Sequence, residues 1–275
     1  MTKNGALYSF IIYILLILLA VFMFLPFLWM MLTSFKPFAE VTALPSTLFP
    51  KQWTLENFVK MNQIVNMFVG YRNSLFLAVT KTVIILYTSA LVGFVISKIP
   101  FKFNNAFFIF ILATMMIPWP VVIIPQYQEM AWFRWVGNYT SLIIPALFSS
   151  FGIFMMKQFV DGIPNELMEA CRVDGANEWI IFHRVIIPNI GPAVSALAIF
   201  QFLWVWDDFL WPFMMINRSD KFTLPLLLRS FQGRYFNDYG PMIACSAVSV
   251  IPVLIVYIVF QRRFVEGITM TGIKS

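Results

Sequence analysis

Six stretches of this chain, at about 6–32, 82–97, 103–128, 135–156, 185–206 and 239–261, carry no charged side chain and are predominantly apolar. All but the second reach the roughly 20 residues that cross a hydrocarbon core, and the second does so only if it extends back through Asn73 to Lys81. In lipid every backbone N–H and C=O must be paired within its own segment, and the period-2 alternation of a membrane barrel is absent. The pattern predicts an all-α integral membrane protein with six transmembrane helices. The first run is too long for a cleaved leader, has no small-residue cleavage site before the next polar stretch and holds Pro26 and Trp29, so it reads as a retained helix.

Composition agrees: 60% of the 275 residues are hydrophobic and 12% charged, against about 25% charged in soluble proteins. A formal charge of +6 would point to an acidic partner in a soluble protein. Here the lysines and arginines are spread over the loops, which gives no nucleic-acid role and leaves membrane lipid as the surrounding phase. Divided between the two sides of a six-helix topology they tie, so charge bias alone does not orient the chain. Cys171 and Cys245 lack metal-ligand spacing and fall in different environments, which predicts neither a metal site nor a disulfide. Without a linker or a repeat, 1–275 reads as one transmembrane domain. Loops 34–72 and 213–238 lie on one side, and a polar island at 157–187 and a tail at 262–275 on the other.

The island is the most informative stretch. Pro164 and Asn165 read as a helix start, with Asn165 as cap and Glu166 and Glu169 in the first turn. A short helix to about Asp174 would carry Leu167, Ala170 and Cys171 on one stripe and Glu166, Glu169 and Arg172 on another. Gly175 stands where a left-handed stop costs least, and Asn177 can cap a second helix through Trp179 to His183. The expected unit is a helix–turn–helix with a small-residue centre, fit to lie in a partner's groove, with Glu169 and Asp174 as polar anchors and Gly175 as hinge.

From Glu169 to Pro188 the spacing resembles the EAA motif of ABC-importer permeases, with Cys171 where a second alanine is usual and Val185 and Ile187 in place of isoleucine and leucine. The likeness extends over nearly the whole chain. It runs through Thr33-Ser34-Phe35-Lys36 with Glu40, Asn73-Ser74-Leu75, Met116-Ile117-Pro118 with Ile124-Pro125, Trp206-Asp207-Asp208-Phe209, and Phe264 to Thr269. In this order they are similar to the carbohydrate branch of the family, of the maltose-transporter type of second permease. The resemblance implies an ABC type I importer permease fold in a bacterial inner membrane, with the island and both termini cytoplasmic. It implies three kinds of protein partner: a homologous second permease, two ATP-binding cassette subunits and an extracytoplasmic solute-binding protein. No cofactor is expected on this chain, ATP and Mg being used by the cassette subunits. Glu169, Ala170, Cys171, Arg172, Asp174, Gly175 and Ala176 would couple ATPase motion to the pore. The implied solute is a sugar or oligosaccharide, with glycerol 3-phosphate or its diesters as the alternative.

Three charged residues stand near apolar runs. Lys81, where the family usually has a small residue, would either snorkel to the outer interface or line a polar path. Asp207, where asparagine is usual, and Asp208 would either anchor among Trp204, Trp206 and Trp211 or touch solute at an outer gate. The tail from Gly267 to Ser275 misses a phosphate-binding loop by one residue and has no helix to follow it, so ATP chemistry must come from elsewhere. An intramembrane protease lacks its residues, since His183 is in the polar island and Asp207-Asp208 are adjacent. A self-contained six-helix channel lacks a filter motif.

Overall fold

A computed structural model describes the backbone of residues 3–231 and 238–272 and the side chains of 8–231, 238–259 and 261. The described residues are helical with no strand. Four helices are long and apolar enough to cross a membrane: Tyr8–Thr33 within Lys3–Thr33, Met67–Lys98, Thr140–Asp161 and Tyr239–Val259. Two bent pairs bring the number of spans to as many as six: Asn104–Met115 with Trp119–Trp132, and Glu178–Asn189 with Gly191–Trp206.

The second run does reach back as its length required, to Met67. The third and fifth depart from the uninterrupted helices that their apolar length predicts, with bends of 100° and 77°. Proline accounts for both. Pro118 lacks an amide proton, adopts extended ψ and disfavours helical backbone at Ile117. Pro188 and Pro192 flank the other break, and the turn before Pro188 widens into a π-helix over Phe182–Ile186, where the Asn189 side chain takes up the Val185 carbonyl at 2.7 Å.

The chain packs as two compact units. In the first, Met1–Met67 with Leu227–Ile251, the Tyr8–Thr33 span buries none of its most apolar window. Beyond it Asn57 Nδ2 donates to the carbonyls of Ser34 (2.9 Å) and Lys36 (2.7 Å), and Phe35 packs on Trp53 and Phe58. The buried Lys36 ammonium donates to the Thr47 carbonyl, so the 34–72 loop is folded back on its own start. Residues 232–237 of the other predicted outer loop lie outside the described residues, as do the side chains of the predicted tail, 262–275. The backbone of that tail continues the last helix to Gly272.

The second unit, Phe68–Leu226 with Pro252–Ser275, holds the functional island. Its core joins Phe94, Met156, Met168, Phe182, Ile186 and Leu197, which come from the spans and from the island alike. Two glycines set the distance between the Met67–Lys98 and Ser150–Asp161 helices. A Cβ on Gly93 would stand 2.9 Å from the Lys157 amide nitrogen and 3.0 Å from Met156 Cβ, and one on Gly152 would collide with Ser89 Oγ. Gly93→Val is therefore expected to cost about 2 kcal/mol by overpacking, more than Gly93→Ala, in thermal unfolding of the purified protein.

Candidate functional site: the helical elbow at 163–190

The island folds into two short helices, Asn165–Val173 and Glu178–Ile181, the second running on through the π-turn toward the fifth span. The turn between them follows from local chemistry. Gly175 has φ of +84°, a left-handed conformation that costs a side-chain-bearing residue roughly 1 kcal/mol. The Ala176 amide returns to the Cys171 carbonyl (2.9 Å) and the Gly175 amide to the Arg172 carbonyl (3.0 Å). That pair of bonds is a Schellman motif, which satisfies the last carbonyls of the first helix. Asn177 caps the second helix as expected, its Oδ1 accepting from the Ile180 amide at 2.9 Å.

Asn165 does not cap the first helix. The cap position is Pro164, Asn165 is the first helical residue, and its Oδ1 accepts instead from Lys98 Nζ at 2.9 Å. The same ammonium donates to the Ile163 carbonyl at 2.6 Å. Only Glu166 lies in the first turn, where the helix dipole favours it; Glu169 is one turn further on.

Arg172 closes the elbow from the outside. Its Nε and Nη2 donate to the two carboxylate oxygens of Glu178 at 2.8 and 3.2 Å, across the Gly175 turn. These bonds raise the guanidinium above its already high ordinary value. Both partners are exposed, so the pair sets an angle more than it adds stability, at most about 1 kcal/mol.

The two faces of the elbow differ. Met168, Ile181, Phe182 and Ile186 are buried in the unit's core, while Leu167, Glu169, Ala170, Arg172, Val173, Asp174, Gly175 and Trp179 are exposed. Cys171 sits between, partly packed on the core, and lines with Gly175, Ala176, Ile180 and Arg184 an open hollow of about 340 Å³. Thus the stripe expected to hold Leu167, Ala170 and Cys171 presents its first two members outward, and the residue turned inward is Met168. On the flank, His183 Nδ1 donates to the Trp179 carbonyl (2.9 Å), leaving Nε2 to accept from the Tyr87 hydroxyl at 3.4 Å.

The other predicted site residues lie elsewhere in the unit. The Lys81 side chain is 11% exposed and its ammonium faces the Asp208 carboxylate at 4.0 Å. Asp208 also accepts from the Trp211 amide at 3.3 Å, and Asp207 is exposed. So Lys81 and Asp208 come together, while the adjacent aspartates part company, because the chain turns between the helices that end at Trp206 and begin at Leu210. Nearby, Asn73 holds the Asp220 and Phe222 carbonyls (3.0 Å each), and Ser74 Oγ accepts from the Leu224 amide (2.7 Å). That pins the start of the second span to the 213–226 part of the outer loop. Reading the sequence missed Lys98, the Arg172–Glu178 pair and the Lys81–Asp208 pair; only a basic residue closing a helix just before Pro100 hinted at the first.

Comparison with known proteins accords with this architecture. The chain is 35% identical over 253 residues to the arabinooligosaccharides transport system permease protein AraQ of Halalkalibacterium halodurans, covering 91% of each chain. It is 30% identical to the diacetylchitobiose uptake system permease protein NgcG of Streptomyces coelicolor, over 93% of this chain and 85% of the relative. Its fold matches that of a bacterial ABC transporter involved in the import of the acidic polysaccharide alginate, with a TM-score of 0.80 at 21% identity over 96% of this chain and 99% of the other. Residues 89–269 match the family described as binding-protein-dependent transport system inner membrane component, and with that match, which takes in the whole elbow, the chain belongs to this family of permeases.

Proposed function

We propose that this chain is one permease half of an importer for an oligosaccharide, and that its elbow is the handle by which a separate ATPase moves the pore. The carrying observation is the elbow's two-sidedness. Its inner face is part of the same packed core as the membrane helices, so it cannot shift without moving them, and its outer face leaves small and apolar residues open around a rigid turn. Leu167, Ala170 and the Gly175 turn would enter a groove on the ATPase, with Glu169, Arg172 and Asp174 at its rim and Cys171 and Ala176 keeping the hollow shallow. ATP and Mg would be handled by that partner pair. A homologous permease would complete the path, the whole of 1–275 acting as one transmembrane domain. Both termini would share the elbow's cytoplasmic side.

Oligosaccharide is favoured by the similar permeases just described, whose names specify arabinooligosaccharides and diacetylchitobiose. Binding-protein dependence is the family's own description. Solute-loaded binding protein and ATP would together favour an outward-facing state by contacts absent from the resting one, the only way a ligand shifts such an equilibrium. In proteoliposomes holding the complete complex, loaded binding protein is expected to raise ATP hydrolysis about tenfold, and uptake to follow arabinooligosaccharides or chitooligosaccharides. Solute flux through this chain alone, without ATP, would overturn the reading in favour of a channel.

A further inference from the structure

We propose that Lys98 is a positioning residue that clamps the root of the elbow to the end of the Met67–Lys98 helix, so that the motor's stroke enters the second span as well as the fifth. The inference rests on the coupling role proposed above for the elbow. The Lys98 ammonium reaches two acceptors that bracket Pro164: the Ile163 carbonyl at 2.6 Å and Asn165 Oδ1 at 2.9 Å. Its neighbour Ser97 donates to the Asp161 carboxylate, which also takes the Lys157 ammonium at 2.6 Å. Two consecutive residues at one helix end therefore grip both sides of the turn at Gly162, the point where an unrestrained elbow would swivel.

Behind this grip the two helices cannot slide. Gly93 lies directly against Met156 and the Lys157 backbone, and Gly152 against the Ser89 side chain, so the spans are in close contact over about one turn. A push on the elbow is therefore delivered to the Met67–Lys98 and Ser150–Asp161 helices as one body, rather than lost in bending at Gly162. Through Pro188 it reaches the fifth span by a separate route. Lysine suits the position because its three ammonium protons can serve two acceptors and its charge strengthens both bonds.

The test is the ratio of solute imported to ATP hydrolysed, measured on the complete complex in proteoliposomes. Lys98→Met is expected to lower this ratio about tenfold, and Lys98→Arg, which keeps the charge and the donors, to restore most of it. A residue that merely stabilised the fold would lower transport and hydrolysis together and leave the ratio unchanged, and that outcome overturns the proposal. Should Lys98→Met fail to assemble, Asn165→Ala removes one acceptor and leaves the charge in place; a ratio roughly threefold lower supports the clamp, and an unaltered ratio overturns it. Gly175→Pro separates the two readings. An unaltered ratio in Lys98→Met beside lost import in Gly175→Pro sinks the clamp alone, whereas normal import by Gly175→Pro sinks the elbow's role and the clamp with it.

Discussion

Gly175→Pro is expected to abolish import while leaving the protein inserted in the membrane. Gly175 needs a φ of +84°, and proline is confined near −65°. Proline also lacks the amide that donates to the Arg172 carbonyl, so both parts of the Schellman turn fail. The first helix must then end differently, and the Arg172–Glu178 pair loses its geometry. None of this touches a membrane span, so the amount of protein in the membrane fraction should match that of the unaltered chain. Uptake and binding-protein-stimulated ATP hydrolysis should fall by more than about a hundredfold, the upper range of ordinary coupling between sites. Gly175→Ala, which keeps the amide and finds nothing within 4 Å of its Cβ, should lose only the roughly 1 kcal/mol of left-handed strain and retain partial uptake. Glu169→Lys reverses a charge on the exposed face and should impair import without loosening the fold. Normal uptake by Gly175→Pro would remove the elbow from the mechanism.

The second large effect concerns Lys81 and Asp208. Each is expected to be intolerant of single neutralisation, because the surviving partner is left with most of its hydration gone and no counter-charge within reach. Removing one member of a buried pair costs about 3 kcal/mol or more, whereas replacing both with apolar side chains of similar volume is often nearly neutral. Lys81→Met and Asp208→Leu should therefore each lower the melting temperature of the purified complex by several degrees, and the double variant should recover more than half of the loss. The pair's separation of 4.0 Å and the 24% exposure of the Asp208 side chain make the coupling smaller than for a fully enclosed bidentate pair. Additive losses in the double variant would mean that the two charges act independently and that their proximity has no energetic consequence.

The features legible in advance share a property: their causes lie within a few residues of their effects. The Gly175 stop and the Asn177 cap follow from local backbone chemistry, and the second span's extension past Lys81 follows from the length a bilayer demands. The EAA-like spacing likewise located the elbow, since a helix of nine residues, a left-handed glycine and a capped restart are written consecutively. What failed to read correctly depended on partners far away. Asn165 has the side chain of a cap, but Lys98, 67 residues earlier, claims its oxygen. Lys81 carries no local sign of a partner, but the turn after Trp206 brings Asp208 to it. The third apolar run has the hydropathy of one straight span and bends by 100° at Pro118.

From its sequence alone, then, this chain is determined to be an all-α membrane protein with a polar elbow of defined turn chemistry, because hydropathy, proline, glycine and capping act through neighbours along the backbone. Tertiary structure alone decided which face of the elbow is buried, which lysine holds its root and which aspartate is neutralised. Those outcomes depend on distances between segments dozens to well over a hundred residues apart. Packing sets those distances, and no local pattern encodes them.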